Sequence, residues 1–188
     1  MDVSWRDVLD AVESDDLDRV NNTLDWIGDL DSEARLELFE SGVDDLVAMY
    51  EASDDGYVRQ SVVRAVDEFS PGMVLGVRVA DDEAAIADVR AHLDAACGFL
   101  LVAIQDEDGR VRQAAKRALK DVYRGYRSIE DTETVEGVAE ELGALAEGYE
   151  GSRREHLLDS KADAERFLRP VGEGLVGAVR RLEEDNWE

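Results

Sequence analysis

The sequence has little cysteine, proline or lysine, and each shortage excludes a class of protein. The single cysteine, Cys97, cannot form an intramolecular disulfide, and its apolar neighbours predict a small buried residue. Two prolines, with 15 glycines that follow no period, exclude collagen-like and proline-rich chains. Apolar residues make up 44% of the 188 residues, too many for a disordered acidic chain. We therefore expect one folded domain over residues 1–188.

The sequence also has no pattern typical of export or of membrane insertion. Residues 1–6 carry acids where a secretory signal peptide needs a basic start and then an apolar stretch. The longest apolar run, residues 95–104, is about half of the length that crosses a bilayer. We therefore expect a soluble, cytoplasmic protein with no membrane partner.

Negative charge dominates the composition. The chain has 46 Asp and Glu residues against 21 Lys and Arg, a formal net charge of −25, and only 3 of the basic residues are lysines. This charge would oppose compaction in dilute buffer, whereas in molar salt the Debye length falls to about 3 Å and the repulsion is screened. The Asp-rich, Lys-poor composition resembles that of salt-in halophiles such as haloarchaea. An acidic mimic of nucleic acid is the alternative, but the spread of acids along the whole chain favours adaptation to salt.

Apolar residues recur with a helical period almost throughout the chain. Residues 58–69 and 111–122 each place apolar side chains at i, i+4, i+7, i+8 and i+11. No stretch alternates as a strand would, so the predicted fold class is all-α. Ser70 followed by Pro71 is typical of a helix start. Helices are predicted at 3–13, 15–29, 32–40, 42–52, 56–69, 71–79, 83–92, 94–105, 109–126, 131–149, 152–168 and 171–184. The range 83–105 is also compatible with one long helix.

An internal repeat joins the two most regular segments. Residues 55–65 and 108–118 share 7 of 11 residues at an offset of 53. Weaker echoes begin at Asp31, 24 residues before Asp55, and at Asp82, 27 residues after it. The spacing predicts a unit of 24–29 residues, long enough for two short helices. Such a pair cannot bury its apolar face alone, so the copies are expected to stack into a continuous core.

The Asp-Gly-x-Val-Arg pattern in both copies resembles the second helix of HEAT-like repeats, including the short variety named after phycobilisome lyases. The resemblance implies a right-handed α-α superhelix, a solenoid of short helix pairs. Repeats would occupy about residues 1–128, and residues 129–188 would form an atypical C-terminal helical cap. The family's signature aspartates cap the second helices and its arginines bond along the stack, which implies these structural roles for Asp55, Asp108, Arg59 and Arg112.

No group of residues has the spacing of a catalytic, cofactor or metal site. His92 and His156 lie 64 residues apart, outside the spacing of metal-binding motifs. There is no Gly-x-Ser-x-Gly motif, and the glycines of residues 172–177 lie in a helical pattern rather than after a strand. Residues 106–109 resemble the start of a calcium loop, but Arg117 stands where that loop needs a glutamate. We therefore expect no catalytic residues, no cofactor and no metal, and a protein that is not an enzyme.

One segment departs from the acidic composition. Residues 109–128 carry seven basic residues and one acid, a net charge of +6. In HEAT-like stacks the second helices line the concave groove. The candidate partner-binding residues are therefore Gln60, Arg64, Gln113, Lys116, Arg117, Lys120 and Arg124. The simplest interpretation of the basic charge is internal pairing with the acidic segment 130–150; the others are contact with an acidic partner or with nucleic acid.

These observations predict a non-enzymatic scaffold or adaptor that binds another protein in its groove at high salt. One alternative is a nucleic-acid-binding HEAT-like protein that uses the basic residues 109–128. Another is an accessory protein similar to phycobilin lyases, which would need an apolar groove. The polarity of the groove side of residues 56–69 and 109–126 distinguishes these functions.

Overall fold

A computed structural model describes residues 4–14, 16–80 and 83–169, and all the regular secondary structure in these ranges is helical. The eight helices of this part are α1 Trp5–Val12, α2 Leu17–Asp29, α3 Ser32–Ala52, α4 Gly56–Ala80, α5 Glu83–Ala103, α6 Gly109–Ser128, α7 Thr132–Glu147 and α8 Gly151–Leu168. The predicted all-α class is therefore confirmed for the described ranges. None of these helices combines the length and the apolar character needed to cross a bilayer. The helix predicted at 171–184 lies outside the described residues.

Aspartate side chains cap the N-termini of most of the helices that start in short loops. Asp31 accepts a hydrogen bond from the Ala34 amide at 2.9 Å, and Asp108 accepts one from the Arg110 amide at 2.8 Å. Asp55 likewise accepts from the Tyr57 amide at 2.8 Å at the start of α4. Each carboxylate satisfies an amide that has no partner within its helix and lies at the positive end of the helix dipole.

The predicted break in α3 is wrong, because the helix continues through Ser41 and Gly42. Ser41 Oγ turns back to donate a hydrogen bond to the Leu38 carbonyl at 3.0 Å instead of capping a new helix. Gly42 leaves room for a neighbouring helix: a Cβ at this position would overlap the indole of Trp5 on α1. The glycine therefore marks a close helix contact and not a turn.

The predicted helix start at Ser70–Pro71 is wrong for a similar reason, since α4 continues without interruption to Ala80. Ser70 is buried, and its Oγ donates a hydrogen bond to the Val66 carbonyl at 3.3 Å, one turn back in the same helix. Residues 83–103 form one helix, the second of the two possibilities left by the sequence.

These long helices change the size of the repeating unit. Asp55 and Asp108 are the first residues of the two matching segments, and they precede α4 and α6. The offset of 53 residues therefore leads from the start of α4, past α5, to the start of α6. The predicted unit of 24–29 residues is wrong, because that spacing separates single helices rather than helix pairs. The unit that repeats is a pair of helices, each of 20–25 residues.

The helices pack in two layers. α4 lies between α2 and α6, and α6 lies between α4 and α8, so the even-numbered helices form one layer. In the other layer α3 covers α4, α5 packs against α4 and α6, and α7 packs against α8. The core between them contains fully buried aromatic rings, with Phe39 of α3 and Phe69 of α4 in edge contact at a centroid distance of 5.6 Å. This packing leaves the outer face of α4 and α6 open.

Arg59, on α4, ties the loop before its own helix to the loop before α6. It donates to the Ser53 carbonyl at 3.0 Å and makes two hydrogen bonds to the Asp106 carboxylate, at 2.8 and 3.0 Å. Tyr50 adds a third hydrogen bond to the same carboxylate at 2.6 Å. The pair is almost fully buried, and the hydrogen bonds lower the pKa of Asp106 although burial acts to raise it.

Arg112 takes the equivalent position on α6. It donates to the Asp106 and Glu107 carbonyls, each at 2.8 Å, and reaches α8 through Ser152 Oγ at 2.9 Å and His156 Nδ1 at 3.1 Å. Each arginine therefore joins the turn before its own helix to the next even-numbered unit: Arg59 bonds to the loop before α6, and Arg112 bonds to α8. This fixes α4, α6 and α8 relative to one another.

Candidate partner-binding cleft

A cleft of about 590 Å³ runs between α4 and α6 on the open face of the even layer. Residues 60, 64 and 67 of α4 lie at i, i+4 and i+7, and residues 110, 113 and 117 of α6 lie at i, i+3 and i+7, so each set occupies one face of its helix. The opposite faces are buried in the core. The residues that line this α4/α6 cleft are Gln60, Arg64, Asp67, Gly109, Arg110, Gln113, Ala114 and Arg117.

The internal repeat builds the two walls of the cleft from the same residues. Gln60 and Arg64 on α4 stand 53 residues before Gln113 and Arg117 on α6. Each wall therefore presents a carboxamide and, one helical turn further on, a guanidinium group. All four belong to the partner-binding set predicted from the sequence, and the structure places them together.

The other three residues of that set, Lys116, Lys120 and Arg124, have partners within the protein. Lys116 Nζ lies 2.6 Å from Asp159 Oδ2, and Lys120 Nζ lies 2.9 Å from Asp163 Oδ2, so both lysines tie α6 to α8. Arg124 pairs with Asp121 one turn before it on α6. These three side chains therefore do not line the cleft.

The predicted internal pairing thus occurs, but with a different acidic segment. Residues 109–128 and 130–150 are both fully described, and no ion pair joins them. The acids that pair with Lys116 and Lys120 come from α8 instead, which packs beside α6 in the even layer. The expected ion pairing between the acidic segment 130–150 and the basic helix is therefore wrong, although α7 makes a small contact with α6.

The three arginines of the cleft differ in how far they are engaged. Arg64 donates one hydrogen bond, at 2.8 Å, to the Asn21 carboxamide. Arg110 lies with its guanidinium carbon 3.8 Å from the centre of the Tyr57 ring and bonds to the Asp108 carboxylate, whose pKa it lowers to about 2. Arg117 is exposed and has no ion-pair partner within the described part of the chain. Arg64 and Arg117 therefore keep donors available to a ligand.

The lining of the cleft also contains Asp67, which sequence reasoning missed. Its Oδ1 is buried and accepts no hydrogen bond from any described residue. Burial, together with the negative charges of Asp121 and Glu68, raises the pKa of Asp67 to about 7, although Arg117 acts in the opposite direction. Asp67 is therefore partly protonated near neutral pH. Nothing in the sequence distinguishes this carboxylate from the 45 others.

The histidines and the cysteine have structural surroundings. His92 is buried, with Nδ1 at 2.6 Å from the Asp88 carbonyl and its ring centre 5.3 Å from that of Phe39. His156 receives a hydrogen bond from Arg112, and burial followed by that positive charge lowers its pKa. Burial raises the pKa of the Cys97 thiol to about 12, which keeps it protonated and a poor nucleophile. No cluster of metal-ligating side chains occurs among the described residues.

Comparisons with known proteins give no family. No protein-family model matches the sequence, and the curated proteins give no match. One similar solved structure is the crystal structure of an engineered protein, with 21% sequence identity and a TM-score of 0.45. The match covers 86% of this chain and 62% of the engineered protein, so this chain spans less than two thirds of that protein's length. A likeness at this level carries no argument about function.

Proposed function

We propose that this chain is a non-enzymatic, HEAT-like scaffold or adaptor of the cytoplasm, adapted to high salt, that binds another protein through the α4/α6 cleft. The repeated helix pairs, their two-layer packing and the arginines that join successive even helices support a right-handed α-α solenoid. In this arrangement α7 and α8 begin the C-terminal cap proposed for residues 129–188.

The observation that carries the proposal is the composition of the cleft. In a chain of net charge −25, its lining contains three arginines and one aspartate that holds a proton near neutral pH. Gln60 and Gln113 add donors and acceptors, and no described residue makes a hydrogen bond to either side chain. Binding sites typically contain polar groups that converge on one concave surface and have no partners within the protein.

The two alternative functions receive less support. A nucleic-acid site would use the net charge of +6 on residues 109–128, but Lys116 and Lys120 are committed to α8. A chromophore accessory would need an apolar groove, and the side chains that line this cleft are mainly glutamine, arginine and aspartate. The polarity of the cleft therefore favours a protein partner.

An affinity pull-down from the lysate of a salt-in halophile, in molar KCl, tests the proposal. The bait variant Arg64→Gln/Arg117→Gln removes both available guanidinium groups from the cleft. The matched control Arg6→Gln/Arg154→Gln removes the same charge from exposed arginines on α1 and α8. We expect the wild type and the control to retain a discrete protein that the cleft variant loses. Equal recovery by all three baits, or recovery of nucleic acid alone, would contradict the proposed function.

A further inference from the structure

We propose that the partner presents an acidic peptide segment and that one of its carboxylates enters the α4/α6 cleft between Arg64 and Arg117, beside Asp67. The inference rests on the proposed function, because it names the chemistry of the segment that the same cleft binds. It requires that the cleft recognise a carboxylate by direct contact and that the charge of Asp67 act on the bound group.

Direct contact is required because of the salt. At molar ionic strength the Debye length is about 3 Å, so the long-range field of the cleft attracts nothing beyond the first layer of contacts. A guanidinium group still binds a carboxylate at such salt, since its planar fork matches the two carboxylate oxygens with two parallel hydrogen bonds. Arg64 and Arg117 occupy equivalent positions on the facing walls, so both forks can reach one anionic group in the cleft.

The carboxamides widen this recognition from one carboxylate to a peptide. Gln60 and Gln113 stand one helical turn before the two arginines, towards the start of α4 and α6. A carboxamide supplies both a donor and an acceptor, which is the pair that a peptide main chain needs. The two arginines can therefore bind an acidic side chain, and the two glutamines, one helical turn away, can bind the adjoining main chain.

A polynucleotide suits the same surface less well. Its backbone carries a negative charge on every nucleotide, so binding needs a row of cations rather than one cluster. Beyond the amides, the loops at the start of α4 and α6 are acidic, with Asp54, Asp55 and Glu107 around a second depression. A peptide can place its acids in the cleft and uncharged residues against these loops, whereas a chain of phosphates cannot.

Asp67 gives the site a dependence on pH. Protonated, it is neutral and hydrogen-bonds to Asp121, and ionised, it repels an incoming carboxylate. The charged groups around it come from α4 and α6, while two groups from α2 and α3 act on its neighbour Glu68. These groups are Arg64 and Glu68 on α4, Arg117 and Asp121 on α6, Asp25 on α2 and Arg35 on α3. Asp67 is the only described carboxyl that lines the cleft, so the charge of a bound carboxylate favours its protonated form, and binding above neutral pH takes up a proton.

The test is fluorescence anisotropy with a labelled oligoglutamate peptide in molar KCl, at about pH 6 and about pH 8, where the glutamates of the peptide are ionised. We expect the wild type to bind several-fold more tightly at the lower pH. Arg64→Gln/Arg117→Gln should weaken binding by about tenfold or more, whereas Arg6→Gln/Arg154→Gln should leave it unchanged. Circular dichroism in the same buffer verifies that every variant is folded.

Asp67→Asn separates a role in binding from a role in folding. Asparagine is uncharged at every pH, so this variant should bind the peptide at pH 8 as tightly as the wild type does at pH 6, with no remaining pH dependence. Binding that is indifferent to the cleft arginines would overturn the inference, as would an Asp67→Asn variant that keeps the wild-type pH dependence. An oligothymidylate probe that binds more tightly than oligoglutamate, and only with the arginines present, would replace the peptide by nucleic acid.

The outcome of the pull-down distinguishes failure of this inference from failure of the proposed function. If the cleft arginines are needed to retain a protein partner but oligoglutamate does not bind, the cleft is a protein-binding site and the acidic segment is wrong. If oligoglutamate binds as described but no protein depends on the cleft, the chemistry of the cleft stands and the scaffold function fails.

Discussion

Replacing Asp67 with asparagine is expected to stabilise the protein at and above neutral pH. Burial at the interface of α4 and α6, then the charges of Asp121 and Glu68, raise the pKa of Asp67 from 3.8 to about 7. The folded protein therefore holds a proton that the unfolded chain releases above about pH 4. Asparagine has nearly the same shape as aspartic acid and carries no charge at any pH, so the folded variant does not need that proton.

The size of the effect follows from the two pKa values. One pKa unit corresponds to about 1.4 kcal/mol, so the difference between 3.8 and about 7 destabilises the ionised folded state by up to about 4 kcal/mol. The stability that the protonated carboxyl confers is complete below the unfolded pKa and is lost as the pH rises through the folded one. The new amide must also find an acceptor, which the Asp121 carboxylate provides. We therefore expect a gain of about 2–4 kcal/mol at pH 8 that declines towards zero near pH 4.

Urea unfolding in molar KCl, repeated between about pH 5 and pH 8, measures this gain. Asp88→Asn is the matched control, because it removes one carboxylate from the exposed surface of α5 and should change the free energy of unfolding by less than about 0.5 kcal/mol. The reasoning is refuted if Asp67→Asn is no more stable than the wild type at pH 8. It is equally refuted if the gain is the same at both ends of the pH range, since a titrating group cannot produce a constant effect.

Three further predictions concern the packing and the charge of the whole protein. Arg59→Met should cost about 3 kcal/mol in urea unfolding, because it removes the buried ion pair of Asp106. Arg110→Met removes an exposed pair and should cost much less, and equal costs would contradict the burial argument. Gly42→Ala should lower the free energy of unfolding by about 1–3 kcal/mol, because the new Cβ overlaps the Trp5 ring. Gly98→Ala places a Cβ in open space and should raise it by up to about 1 kcal/mol. A Gly42→Ala variant as stable as the wild type would show that α1 packs elsewhere. Helicity measured by circular dichroism should fall in dilute buffer and return in molar KCl, and a melting temperature independent of salt would contradict adaptation to high salt.

The local parts of this fold could be predicted from the sequence because they depend on near neighbours. The helical period and the aspartates that precede helices act within a few residues, and the helices of the described ranges cover the predicted ones there, with three predicted pairs joined into α3, α4 and α5. The match between residues 55–65 and 108–118 identified two helices that lie side by side. It also identified Gln60, Arg64, Gln113 and Arg117 as groups on one surface, because a repeated helix repeats its faces.

What the sequence could not provide depends on contacts between distant residues. Gly42 and Ser70 resemble helix ends when only their neighbours are considered, but the Trp5 ring and the Val66 carbonyl show that they lie within continuous helices. The acidic segment that follows α6 in the sequence is 130–150, yet Lys116 and Lys120 pair with α8, since the order of helices in the layer decides which distant charges meet. Pairs between helices depend on packing, whereas Arg110 and Arg124 pair with acids two and three residues away.

Asp67 illustrates the same limit within the candidate site. In the sequence it is one acid among 46, and its pKa is raised by burial in the fold and then by the charges of Asp121 on α6 and of Glu68. Arg110 was likewise missed, because its stacking on Tyr57 joins the first turns of α4 and α6, 53 residues apart. Both residues line the cleft, and their interactions there form only where α4 and α6 pack against each other.

Site-specific photo-crosslinking tests the central claim, that the α4/α6 cleft holds a protein partner. A photoreactive amino acid in place of Gln113 stands in the cleft, and the same amino acid in place of Leu17 stands at an exposed position of α2 outside it. In the lysate of a salt-in halophile at molar KCl, we predict one crosslinked protein from position 113, none from position 17, and loss of the crosslink when Arg64→Gln/Arg117→Gln is added. The same crosslinked species from both positions, or a crosslink at 113 that survives the loss of both arginines, would contradict it.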